Sequence, residues 1–144
     1  MSAETEQKIL EGYRFPGKNK IKGGHSSNVI RDDNNCYAVE VISENPDGTK
    51  YVGYYRQFSD GKISTYKKST LFPESWSDEK IIESIKQISN TPPIGSRTGA
   101  DGITTTLHSD VIDGVKIDVI KEGNIITSGY PEGGKPTPGF APIH

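Results

Sequence analysis

Sulfur chemistry is nearly absent from this chain. Cys36 is the lone cysteine, so no internal disulfide can form and a zinc site would lack thiolate partners. The three histidines, His25, His108 and His144, stand at no metal-ligand spacing. No apolar run approaches the roughly 20 residues of a bilayer span. Residues 1–7 are polar and acidic, which does not fit a secretory leader. Together these features point to a cytosolic protein, or to a piece of a larger exported one whose address lies elsewhere. Apolar residues are scarce at 31%, and Gly 16 with Pro 9 predicts a modest core joined by many turns. At 144 residues the chain can still bury a single core without covalent staples.

Acidic residues are also missing from two particular places. The net charge of −2 gives no hint of a nucleic-acid binder by itself. Residues 12–31, however, carry Arg14, Lys18, Lys20, Lys22 and Arg31 with no acid, and residues 62–70 carry Lys62, Lys67 and Lys68 with none. If the two stretches meet, they form a cationic cleft on an acidic protein; if they do not, they are two solvated loops. The first stretch contains Gly23-Gly24-His25-Ser26-Ser27. Two glycines let backbone approach another group closely, and an imidazole beside them can move a proton near neutral pH.

The periodicities predict an α+β fold. Residues 2–12 read as a short helix capped by Ser2 and stopped by Gly12, with Ile9 and Leu10 inward. The basic loop follows, with a second short helix expected around residues 26–30. Residues 37–42, 50–56 and 62–72, separated by Asn45-Pro46-Asp47-Gly48 and Ser59-Asp60-Gly61, read as a three-stranded antiparallel meander. Ser75 or Ser77 caps one long helix whose stripe is Ile81, Ile82, Ile85 and Ile88, and Trp76 seals it onto a sheet. After the break at 91–95 and a loop through 97–102, residues 103–108, 115–120 and 125–127 make a second antiparallel group. Residues 1–131 thus form one domain, and 132–144 a Pro- and Gly-rich tail on the surface or disordered.

Three separated motifs resemble the EndoU endoribonuclease superfamily, in particular its bacterial branch. They are Gln7-Lys8-Ile9-Leu10-Glu11-Gly12 with Gly23-Gly24-His25; Lys67-Lys68-Ser69-Thr70-Leu71-Phe72-Pro73-Glu74-Ser75-Trp76-Ser77; and Val115-Lys116-Ile117 with residues 122–131, ending in Thr127-Ser128-Gly129-Tyr130-Pro131. The coronaviral uridylate-specific endoribonuclease shares the outer two. The resemblance implies an RNase with no resident cofactor, divalent-metal stimulation being possible. RNA would supply its own nucleophile, the 2′-hydroxyl, leaving a 2′,3′-cyclic phosphate and a 5′-hydroxyl. His25 matches one family histidine. Lys67 or Lys68 matches the lysine, only one of the two being able to enter the site because a strand points them to opposite faces. Thr127 and Tyr130 match the pair that positions phosphate and base. Lys20, Lys22, Arg31 and Tyr66 are further candidates for holding RNA.

At Lys8 the chain departs from the family, which usually has histidine there. A lysine has a reference pKa near 10.4, so it serves as a base only if its surroundings lower that value by roughly three units. Lys8 is then a tuned lysine or an electrostatic clamp, or another base such as His108 replaces it, or the chemistry is lost. His108 reads otherwise as an exposed strand or loop histidine. Two functions follow: an endoribonuclease, or a non-catalytic RNA-binding module on the same fold. The bacterial branch also implies a toxin domain of contact-dependent growth inhibition. Such a domain is exported as part of a larger surface protein and acts on tRNA or other structured RNA in a target cell's cytoplasm. It would be paired with a cognate immunity protein.

Overall fold

The computed structural model describes residues 1–15, 17–28, 36–134 and 136–143. Helix α1 is Ala3–Leu10; the Ser2 side chain accepts the Thr5 N–H, and Glu4 and Glu6 occupy the positive first turn. Two-residue strands β1 (Tyr13–Arg14) and β2 (Ile21–Lys22) pair across the basic loop. Of the helix expected around residues 26–30, Ser27 and Asn28 are helical, while residues 29 and 30, like Arg31, lie outside the described residues.

The meander is β3 (Cys36–Glu44), β4 (Lys50–Arg56) and β5 (Lys67–Leu71), antiparallel in chain order. Its third strand is shorter than the sequence suggests. Residues 62–66 make only an isolated bridge at Gln57–Ile63, because a side chain and the basic loop take partners that a longer ladder would need. Ser64 Oγ accepts the Arg56 N–H at 2.9 Å, and the Thr65 N–H donates to the Asn19 carbonyl at 2.7 Å. One face of this sheet covers a small core of Ile21, Val52, Tyr54 and Leu71, with Phe58 at its edge.

Helix α2 (Asp78–Ser89) starts at Ser77, whose Oγ accepts the Lys80 N–H. Its isoleucine stripe packs with Ile9, Phe72, Trp76, Val115, Ile117, Val119 and Ile126 in the main core. Trp76 stacks on Phe72 at 5.6 Å and so joins the helix start to the end of β5. The second sheet has five strands in the order β10-β6-β7-β8-β9: β6 (Gly95–Thr98), β7 (Thr104–Ile112), β8 (Val115–Glu122), β9 (Ile125–Pro131) and β10 (Ala141–Pro142). Strand β6 occupies part of what the sequence presented as loop. Its Gly-Ser-Arg-Thr composition carries no apolar alternation, and it is a strand because β7 offers a register for it. The segment after β9 turns back across the sheet, where Ala141 and Pro142 pair with Ser96 and Gly95. Among the described residues no helix is long and apolar enough to cross a membrane.

Candidate active site

The His25 loop is held by the spare carbonyls of a helix end. The last turn of any helix leaves C=O groups without intrahelical partners. Here the N–H groups of Gly24, His25 and Ser26 bond in succession to the carbonyls of Lys8, Ile9 and Leu10 at 3.0, 2.7 and 3.1 Å. The close approach explains the glycine pair. Gly23 has φ +86° and a Cβ there would lie 2.0 Å from the Lys8 carbonyl oxygen; Gly24 has φ +78°. From the other side the loop is tied to β5 and the start of α2. The Phe72 N–H donates to the His25 carbonyl at 2.8 Å, Ser27 Oγ to the Phe72 carbonyl at 2.5 Å, and Ser26 Oγ to Asp78. His25 therefore sits at the junction of α1, β5 and α2.

The hydrogen bonds fix its tautomer. Nδ1 lies 2.8 Å from the Thr70 carbonyl, which can only accept, so Nδ1 carries the hydrogen. Ser69 Oγ, 3.0 Å from the same nitrogen, spends its own hydrogen on the Gly24 carbonyl and accepts as well. Nε2 is left bearing a lone pair, with no hydrogen-bond partner among the described residues. The ring is only 9% exposed. Burial, opposed by the Thr70 bond and aided by the charges of Lys67 and Lys8, lowers its pKa to about 4. His25 is thus a neutral imidazole at pH 7 with one bare nitrogen.

Lysines surround it. Lys67 projects from the inner face of β5 beside Ser69; burial first, then the charge of Lys22, holds its pKa below the usual lysine range. Lys68 points to the outer face and is exposed, so strand alternation assigns Lys67 to the site. Lys8, at the end of α1, donates through Nζ to the Thr127 carbonyl. Its pKa is also lowered, by burial and then Lys22, against an opposing pull from Glu122. Lys22, exposed on β2, therefore belongs to the same cationic cluster. Lys20 is exposed in the turn between β1 and β2, and Tyr66 lies on the outer face of the small sheet.

The closing strand completes the cluster. Thr127 sits at the register shift between β8 and β9, and its hydroxyl makes a long 3.3 Å bond to the Ile120 carbonyl. Its link to the site is the main-chain carbonyl held by Lys8. The Tyr130 ring lies 5.6 Å from the His25 ring, centroid to centroid. His108 lies elsewhere. It is buried rather than exposed, on β7, because strand alternation turns it inward. Nδ1 donates to the Thr91 carbonyl at 2.7 Å and Nε2 bonds Thr106 Oγ1 at 2.9 Å, which engages both nitrogens.

Sequence reading missed four contributors: Ser69, the Thr70 carbonyl, Asp118 and Thr137. Asp118 is 2% exposed and accepts from Ser109 Oγ at 2.8 Å and Thr137 Oγ1 at 2.7 Å. Thr137 has one hydrogen, spent on Asp118, so the Tyr130 hydroxyl donates to Thr137 Oγ1, 2.5 Å away. Burial also pushes the Tyr130 phenol up. Tyr130 thus offers a ring face and oxygen lone pairs rather than a free proton. The one visible signal was an acid inside the β-rich run of residues 115–120. Thr137→Val should destabilise the protein by about 1–3 kcal/mol in a urea titration, since it strips a buried carboxylate of a donor. Thr137→Ser should restore most of that loss, and a silent Thr137→Val would show that the segment is not integral.

Among the described residues no group of three or more His, Cys, Asp and Glu side chains is arranged to hold a metal ion. A family model described as bacterial EndoU nuclease matches residues 2–133. No curated protein and no solved structure matches the chain.

Proposed function

The chain belongs to the bacterial EndoU nuclease family, and from that premise we propose that it is an endoribonuclease using His25 as its base. The observation that carries this reading is the bare Nε2 of a neutral imidazole set among Lys8, Lys22 and Lys67. Nε2 takes the proton of a ribose 2′-hydroxyl as that oxygen attacks the adjacent phosphorus. The P–O5′ bond breaks, and the Lys8 ammonium, its pKa lowered, gives a proton to the departing 5′-oxygen. Lys67 holds the negative charge that grows on phosphorus, in a site where burial keeps its field from being screened. Tyr130 offers its ring to the base, and Thr127 contacts the phosphate once its long bond to Ile120 is given up. Lys8 standing where relatives carry histidine is compatible with this scheme, because the missing histidine's task becomes acid rather than base.

Incubation with total tRNA followed by end-group analysis tests the reading. The expected products carry 2′,3′-cyclic phosphate and 5′-hydroxyl ends. RNA that is bound with salt-sensitive affinity but left intact would favour the non-catalytic module. The lysine cluster also suits an acidic protein inhibitor, in line with a toxin delivered by a larger exported protein and neutralised in its producer.

A further inference from the structure

The outer face of the small sheet carries a feature that the chemistry at His25 does not use. Cross-strand pairing sets Glu40, Gly53 and Lys68 side by side there. The Tyr66 ring lies across Gly53: a Cβ at residue 53 would fall 1.8 Å from the phenol oxygen, so only glycine permits the arrangement. Glu40 Oε1 accepts the Tyr66 hydroxyl, which pushes that phenol up to about 12 and keeps its proton in place. Tyr55 stands beside it with ring centroids 5.3 Å apart at 52°. Both rings remain open, Tyr55 at 40% and Tyr66 at 39% exposure. With Val39, Ile42 and Lys68 they line a groove of about 740 Å³. Among the described residues Lys68 has no acidic partner.

This face is continuous with the candidate active site. Lys68 and Thr70 lie at alternate positions on β5, about 7 Å apart, and Tyr66 immediately precedes that strand. The Thr70 carbonyl holds His25, and the Thr70 side chain meets Gly133 just beyond the end of β9. A strand of RNA lying across His25 can therefore pass onto the groove along β5.

We propose that Tyr55 and Tyr66 form a stacking subsite for an unpaired base flanking the cleaved bond, with Lys68 on its phosphate. The proposal rests on the RNA-cleaving reading of His25. It commits to a base because the groove presents ring faces beside an unneutralised cation, the pairing of surfaces that single-stranded nucleic acid needs. Glu40, which would repel a phosphate, also lines the groove, and one of its carboxylate oxygens is engaged by the Tyr66 hydroxyl.

Fluorescence anisotropy with a labelled single-stranded 2′-deoxy oligonucleotide tests it, because that probe lacks the nucleophile and binds without being cut. Tyr55→Ala combined with Tyr66→Ala should weaken binding by roughly tenfold or more. Tyr66→Phe, which keeps the ring, should stay within about twofold. Cleavage of an RNA dinucleotide, too short to reach the groove, should be the same for wild type and the double variant. Unchanged oligonucleotide affinity would overturn the subsite, as would a matching loss of dinucleotide cleavage. So would a double variant whose only defect is lost self-association, which would give the face to a second copy of the chain. A wild-type protein that cuts no RNA yet binds the probe through the two tyrosines would sink the catalytic reading and leave the subsite standing.

Discussion

Replacing His25 with alanine should lower RNA cleavage by roughly 10²–10⁴-fold, the usual worth of a positioned general base. The loss should appear in kcat, because the ring donates through Nδ1 to Thr70 and meets substrate only through Nε2. Circular dichroism should show the fold retained, since the loop is anchored by its backbone N–H groups and its serines rather than by the imidazole. Cleavage at the wild-type rate would remove His25 from the chemistry. The pH profile carries a second signature. The base acts when neutral, so activity falls as pH drops through its pKa. In the free enzyme that value is about 4 rather than the ordinary 6.5, which places the acid limb of kcat/KM near pH 4. A bound phosphate offsets Lys8 and Lys67 and raises the imidazole, so the acid limb of kcat should lie at higher pH. Stability follows the same sign. The folded pKa is depressed, so His25's contribution is fully present above pH 6.5 and is lost as pH falls toward 4. By linkage the difference between wild type and His25→Gln should change by about 3 kcal/mol between pH 7 and pH 4.

Gly23→Ala should be among the most damaging single substitutions, although it adds one methyl group. Left-handed backbone costs a residue with a Cβ about 1–2 kcal/mol. The new carbon would also lie 2.0 Å from the Lys8 carbonyl oxygen, which is backbone and cannot rotate away. The loop must then lift off the end of α1, weakening the bonds from Gly24, His25 and Ser26, each worth about 1 kcal/mol. A loss of roughly 3–5 kcal/mol is expected, a large part of the stability of a domain this size. Gly61→Ala is the control. Gly61 has a similar φ of +84°, and a Cβ there would meet nothing within 4 Å among the described residues, so it bears only the conformational term. Denaturant unfolding of both variants decides the matter: equal losses would mean that contact with the helix end is unimportant. Cleavage should fall with Gly23→Ala as well, because the displaced loop carries His25 off the Thr70 carbonyl.

Several elements were legible because their signals are local. Ser2 and Ser77 cap the helices they precede, the isoleucine stripe fixes the buried face of α2, and Asn45-Pro46-Asp47-Gly48 turns the first hairpin. Strand β6 was not legible, since its residues have no preference that a neighbouring strand does not supply. Nor was Asp118. Val115, Ile117 and Val119 face the main core, so the other face of β8 ought to meet water. It is buried at Asp118 because residues 136–143 return across the sheet and bring Thr137 to it.

The sequence by itself determined the order of the two helices, the meander and the main strands of the second sheet, together with the family motifs and the short roll of chemical groups from which a site could be made. His25 and its glycine pair were within its reach, as was the rule that only one of Lys67 and Lys68 can enter the site, because motif spacing and strand alternation are properties of neighbouring residues; which of the two lysines turns inward was left to the fold. Which nitrogen of His25 is bare, and that the ring is neutral, was decided only by tertiary structure. A tautomer depends on what lies opposite each nitrogen, and those partners, Ser69 and Thr70, come from a strand more than forty residues away. The depressed pKa has the same origin. Desolvation and the charges of Lys8 and Lys67 exist only once α1, β5 and the loop between them have closed around the ring.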